Sequence, residues 1–378
     1  MKSAFLYSEY FGNYKLAVNH PFDPVRGRKV YELCNRYGLL SHPGMEVVEP
    51  RPIAFEELAE IHSGHYLELL RRASAGEFYL GMLEYGIGTD DCPVFPGLLE
   101  FLALCAGASV RGGELVMDEG FRFAFNPLGG FHHAMRANAE GFCYINDIAL
   151  VARRWADRGL KVAVVDIDAH HGNGTQDFFY HDPRVLTISF HESGQSLYPY
   201  GGEPAEIGEG AGRGYNVNVP MLAMSDDEIF LFAFSELLPP LLQAFAPDVV
   251  IGVVGVDTFA TDPLTHLRLT NNAYVLAIKA IHKLAPRWLA LGAGGYNMDN
   301  VARGWTLMWA AVHGLDVQDD TSASLGGVFI GDTDIGLAGL RDMNARTSGP
   351  DKARAMEAID TAVDYIKDNV FPILGAHS

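Results

Sequence analysis

Four apolar runs, each breaking off in acidic or glycine-rich sequence, constrain this chain more than any other feature. They are KVAVVDID (161–168), RVLTISF (184–190), PDVVIGVVGVD (247–257) and RWLALGAGGY (287–296). Near-continuous aliphatic and β-branched runs of this length suit strands buried on both faces of a parallel sheet. Helical stretches separate them: DIALVARRWADRG (147–159), SDDEIFLFAFSELLPPLLQAF (225–245) and LTNNAYVLAIKAIHKLA (269–285). Ser225 and Glu228 have capping-box spacing, and Thr270 is placed to cap the next helix. Pro239 and Pro240 are expected to end or kink the long helix. Alternating strands and helices predict an α/β fold with a mainly parallel sheet.

That architecture concentrates chemistry. In open parallel sheets, sites form where loops leave the carboxyl ends of the strands. Asp166 and Asp168 close the first run, Asp257 the third, and Tyr296 follows the fourth. Alternation along a strand puts Asp166 and Asp168 on one side, and His170 continues that register into the loop. One carboxylate and one imidazole two residues apart can share a metal. A second carboxylate is available at Asp257 or Asp262, with Asp257 better placed directly after its apolar run. Two carboxylates and one imidazole leave zinc an open position, the pattern of a catalytic site. The same mixed donor set accepts Fe(II) or Mn(II).

Two further motifs supply proton chemistry. GGFHHAM (129–135) carries the adjacent pair His132 and His133, and imidazoles titrate near working pH. Tyr296 in GAGGYN can donate its phenol proton to a developing oxyanion.

The net charge of −19 argues against nucleic-acid partners, because no basic cluster offsets it. An acidic surface favours cationic substrates such as lysine-bearing segments or polyamines. No window reads as the roughly 18 apolar residues of a membrane span, and the N-terminal MKSAFLYSEYFGNY does not read as a signal peptide. Cys34, Cys92, Cys105 and Cys143 form no CxxC pair and read as free thiols, so the expected setting is cytoplasmic. There is no internal repeat and no long linker.

Taken together, NPLGGFHHAM, GFCYINDIA, VDIDAHHGNGTQDFF, EIGEGAGRGYNVNVP, VDTFATDPLTHLRLT and LGAGGYNMDNVARGWT resemble the histone deacetylase and acetoin-utilisation-type deacetylase family. The resemblance runs from about Tyr7 to about Trp309. It implies a single arginase-like domain over 1–378, with an eight-stranded, mostly parallel sheet, core motifs over about 7–310 and a helical tail over about 315–378. It implies that Asp168, His170 and Asp257 are zinc ligands. His132 and His133 resemble the paired catalytic histidines, with His133 the general base and acid and Asp166 orienting His132. Tyr296 is similar to the residue that polarises the scissile carbonyl. Asp91 is similar to a rim aspartate that grips substrate amides. Gly141, Phe142, Phe190, Leu264 and Gly294 resemble substrate-tunnel positions, and Arg26 resembles the arginine of an acetate-release channel. Structural potassium ions are implied at two places: Asp166, Asp168, His170, Ser189 and Phe190, and Phe179, Asp182, Val185 and Tyr215.

The chain departs from the family pattern at three positions. Asn173 stands where many members carry aspartate, which leaves the division of labour between His132 and His133 open. Phe131 replaces a tryptophan, and Ala293 interrupts the glycine run before Tyr296. The implied activity is metal-dependent amide hydrolysis of an acyl-lysine on a protein, with a metabolic enzyme such as an acyl-CoA synthetase the favoured substrate. Acetyl is the default acyl group. An amidohydrolase for acetylated polyamines is the nearest alternative. A silent acyl-lysine binding module is a second, although such a module would be expected to lack a ligand or the tyrosine. A ureohydrolase would need more ligands for a two-manganese centre.

Overall fold

The computed structural model describes residues 1–315, 317, 339–343 and 345–377. The tail read over 315–378 therefore lies partly outside the described residues.

Eight strands form one sheet: β1 (Ser3–Leu6), β2 (Met45–Val48), β3 (Phe123–Asn126), β4 (Val162–Asp166), β5 (Val185–Glu192), β6 (Asn216–Met221), β7 (Val249–Val253) and β8 (Trp288–Leu291). Their order is β2-β1-β3-β8-β7-β4-β5-β6, and every pairing is parallel. The four apolar runs become β4, β5, β7 and β8, and every residue of those strands is buried. The expected "mainly parallel" sheet is all-parallel. Each connection is a crossover, so each needs a helix or a long loop.

Among the described residues, the α-helices longer than one turn are α1 (Arg26–Arg36), α2 (Gly64–Ser74), α3 (Leu98–Asp118), α4 (Asp147–Asp157), α5 (Asn173–Phe179), α6 (Asp227–Phe245), α7 (Asn271–Leu284), α8 (Met298–Val312) and α9 (Gly349–Asn369). They pack in two chains of neighbours: α1, α8, α7, α6 and α9 in one, and α2, α3, α4 and α5 in the other. All four cysteines are free and buried.

Three local readings change. Asp226, not Ser225, caps α6, accepting a hydrogen bond from Ile229 N at 3.4 Å. Pro239 and Pro240 sit inside α6 and do not end it. They lie on its half-buried side while Leu237, Leu238, Leu241 and Leu242 continue the buried stripe, so packing outweighs the lost backbone donors. α6 also corrects the reading that no window matches a membrane span. Its 19 residues, at mean hydropathy 1.3, are long and apolar enough by length and composition. In this fold α6 packs against α7 and α9 and buries Ile229, Phe230, Ala233 and Phe234.

Candidate active site

The parallel sheet brings five loops to one edge, following β3, β4, β5, β7 and β8. Each delivers side chains that the sequence spreads over more than 160 residues.

The loop after β4 holds Asp168 and His170, and the loop after β7 holds Asp257. Their exposures are 1%, 8% and 0%. His170 Nδ1 lies 2.9 Å from Asp257 Oδ2 and 3.2 Å from Asp168 Oδ1. One ligand atom from each residue falls within 4.8 Å of the other two. Backbone amides fix both carboxylates. Gly294 N donates to Asp168 Oδ2 at 2.6 Å, His170 N to Asp168 Oδ1 at 2.8 Å, and Ala169 N to Asp257 Oδ1 at 2.9 Å. Position 294 must be glycine, because a Cβ there would stand 2.2 Å from Asp257 Oδ2. Asp262, the other carboxylate after β7, accepts from Tyr296 N at 2.7 Å and Leu264 N at 3.0 Å. It holds the tyrosine loop, which leaves Asp257 as the partner of the trio.

This donor set fits a divalent cation. Burial disfavours charge on His170, yet its hydrogen bonds to Asp168 and Asp257 outweigh that and push its pKa up to about 10. Burial, with the neighbouring charge of Asp168, lifts Asp257 to about 7. Two buried carboxylates converging on one imidazole are short of positive charge, the condition a bound metal relieves.

His132 and His133 follow β3. Their rings lie 4.2 Å apart, and each is 4% exposed. The turn before them hangs on Asp147, whose carboxylate accepts from Gly130 N, Phe131 N and Ser109 Oγ. Sequence reading missed this residue; only the fold brings the first residue of α4 under the Gly129–Gly130 turn. His132 Nδ1 meets Asp166 Oδ2 at 2.8 Å. His133 Nδ1 meets Asn173 Oδ1 at 2.7 Å. The two imidazoles therefore differ. Burial opposes charge on His132, but Asp166 and Asp168 more than compensate and raise its pKa. Burial and the neighbouring His132 and His170 hold His133 well below the usual range. One ring favours the cation and its neighbour the free base, the separation that acid–base pairs need.

Tyr296 completes the site. Its ring lies 6.2 Å from that of His170 and 5.6 Å from that of Phe142. Burial and the charges of Asp257 and Asp168 raise its pKa, so it stays a neutral phenol with a proton to donate. Arg26, fully buried, pins the loop in front of it. Nη1 donates to Ala293 O at 2.9 Å and Nη2 to Gly295 O at 2.7 Å, and the guanidinium stacks 4.2 Å from the Phe22 ring centroid. Ala293 adopts φ 63°, a left-handed conformation that this anchoring sustains.

Of the expected tunnel residues, Gly141, Phe142 and Leu264 are half-buried, and Asp91 is exposed. Phe190 is a correction. It is fully buried, with its ring against Phe230 and Phe234. Alternation along β5 turns it to the face opposite Ser189, toward α6. The aromatic side chain beside the histidines is Tyr198, whose ring lies 5.2 Å from that of His133. It belongs to a loop without periodicity, so nothing in the sequence marked it. At the expected potassium positions, Ser189 Oγ pairs with His191 Nδ1 at 2.9 Å. Phe179, Asp182 and Val185 are tied through their backbones, and Tyr215 O accepts from Thr187 N. Arg184 holds the Asp182 carboxylate below its ordinary pKa, so that position offers mainly carbonyl oxygens.

The profile of the histone deacetylase domain matches residues 20–312. The acetoin utilization protein AcuC of Bacillus subtilis is 36% identical over 322 residues, covering 83% of each chain. Human histone deacetylase 1 is 35% identical over 308 residues, covering 81% of this chain and 63% of that one. Among solved structures, a histone deacetylase homologue bound to SAHA superposes with TM-score 0.85 at 30% identity, covering 96% of this chain and 100% of that one. An Aquifex aeolicus homologue gives 0.83 at 29%, with the same coverage.

Proposed function

The chain belongs to the histone deacetylase family, and from that membership and its site geometry we propose that it hydrolyses the amide of an Nε-acyl-lysine, releasing a carboxylate and the lysine amine. The observation that carries this reading is the pair of adjacent imidazoles with unlike partners, a carboxylate for His132 and a neutral amide for His133, set beside the Asp168–His170–Asp257 trio and the Tyr296 phenol.

Asp168, His170 and Asp257 would hold the metal, which we read as zinc, with Fe(II) suited to the same donors. When bound, it supplies Lewis acidity toward the acyl oxygen and acidifies water. His133, kept neutral, takes the proton of the attacking water and returns it to the leaving amine. His132, kept cationic by Asp166, stabilises the negative charge that develops beside it. Tyr296 donates to the oxygen as it becomes an oxyanion. Phe142 and Tyr198 present aromatic walls to the acyl-lysine stem. Potassium at the acidic position around Asp166 and Asp168 and at the carbonyl-rich position around Asp182 would brace the loops after β4 and α5. The likeness to a protein named for acetoin utilization favours a metabolic protein, such as an acyl-CoA synthetase, as substrate in a cytoplasmic setting.

An acetyl-lysine peptide assay tests this. The expected result is turnover that a chelator abolishes and zinc restores. Tyr296→Phe should lower kcat by roughly 10²–10³, the usual cost of one oxyanion donor. Full turnover by that variant, or a preference for acetylputrescine over the peptide, would defeat the reading.

A further inference from the structure

The hydrogen-bond chain behind His133 does not stop at Asn173. Glu140 opens a two-residue hairpin in which Glu140 N donates to Cys143 O at 3.0 Å and Cys143 N to Glu140 O at 2.8 Å. Gly141 and Phe142 occupy the turn at φ 51° and 68°, the left-handed pair of a primed turn. The Glu140 carboxylate collects three donors: Asn138 Nδ2 at 2.9 Å, Tyr198 Oη at 2.8 Å and Asn173 Nδ2 at 3.3 Å. The other end of the Asn173 amide faces His133 Nδ1 at 2.7 Å.

The chemistry of these groups fixes their orientation. A carboxylate only accepts, so the Asn173 atom turned toward Glu140 is its NH₂. Its carbonyl is then the atom that meets His133, and His133 must carry its proton on Nδ1. The remaining nitrogen, Nε2, is left with a lone pair. We propose that Glu140 is a positioning residue for His133: acting through the Asn173 amide, it selects the tautomer that serves as base, and Tyr198 pins it there. His132 receives a carboxylate directly from Asp166; His133 receives one at a remove of one side chain. This makes sense of asparagine at position 173, because a carboxylate there would face Glu140 at hydrogen-bonding distance with no proton between them. The proposal rests on the reading of His133 as the base.

The test uses the zinc-loaded full chain and the variants E140Q, N173D, E140Q/N173D and Y198F. Glutamine can donate as well as accept, so E140Q frees Asn173 to flip. Its kcat should fall about 10–100-fold, the usual cost of removing a supporting partner, with KM within about twofold. N173D alone should also be impaired. The double variant, with one carboxylate now directly on His133, should recover to within about threefold of wild type and exceed both single variants. Y198F should show a smaller loss in the same direction as E140Q. If Glu140 only shaped the Phe142 hairpin, E140Q would raise KM and N173D would add to the damage; either result overturns the proposal.

A second measurement does not depend on turnover. In protein with ¹⁵N-labelled histidine, the His133 ring, identified by the loss of its signals in His133→Ala, should be Nδ1-protonated in wild type and a tautomer mixture in E140Q. An Nε2-protonated His133 in wild type overturns the proposal. A wild-type protein inactive on acyl-lysine peptides but showing the tautomer change would refute the substrate reading while supporting the role of Glu140.

Discussion

Arg26, at the start of α1, holds the loop that carries Tyr296, and it bears the greater structural burden. Its guanidinium is the donor for the carbonyls of Ala293 and Gly295, both deep in the protein. Arg26→Met fills similar space but strands those two acceptors, so stability should fall by about 3 kcal/mol in urea unfolding. Because the same carbonyls set the approach to Tyr296, kcat should fall as well. His62 gives a pH signature away from the Asp168–His170–Asp257 trio. It is 1% exposed, its Nε2 accepts from Asn146 N at 3.1 Å, and burial pushes its pKa down to about 4. Between about pH 6.5 and 4 the unfolded chain binds a proton at this ring that the folded chain refuses. Stability therefore falls as pH falls through that window, by about 3 kcal/mol at its lower end. Denaturation at pH 7 and pH 4.5 should show wild type losing about 2 kcal/mol more than His62→Gln. At this scale the sequence was legible where polar residues end apolar runs: Asp166, Asp168, His170 and Asp257 could be placed from strand alternation and sheet polarity alone. Glu140 and Tyr198 could not, because they meet through side chains of two aperiodic loops. Phe190 was misplaced because it adjoins Ser189 in sequence while pointing to the other face.

Among the elements, the strands were the most legible and the helix ends the least. Four strands announced themselves by being buried on both faces. β1, β2, β3 and β6 lie outside the four apolar runs: β3 and β6 carry asparagines, and β2 is half-buried or exposed along its whole length. The cap of α6 moved by one residue because Asp226 also binds Lys352 at 2.5 Å and Thr347 N at 2.9 Å, ties that only the folded chain reveals. Those ties seat α9 against α6 and along β6, the last strand of the sheet. An uncovered edge strand invites pairing with other chains, so α9 protects as well as packs. Ile366 is fully buried in that seam. Ile366→Ala should cost about 2–5 kcal/mol in urea unfolding, with kcat unchanged, because the seam lies away from the five loops of the site.

For the whole molecule, the net charge of −19 would favour the arrival of cationic substrates. A clustered acidic field raises the encounter rate of cationic partners, and salt screens it. For a lysine- and arginine-flanked acetyl peptide, kcat/KM should fall about tenfold between low and about 0.3 M salt, while a neutral peptide should change little. A flat profile for both peptides would show that the charge serves solubility alone. The strand order has another consequence, for the growing polypeptide. β7 and β8 lie between β3 and β4, yet they follow both in the chain. Without β7 and β8, the two half-sheets β2-β1-β3 and β4-β5-β6 would each have an inner edge with no partner. The next two strands to emerge join the halves, and the loops after them bring Asp257 and Tyr296. A chain ending before that point would have unpaired inner edges, which invite association, and would lack Asp257 and Tyr296.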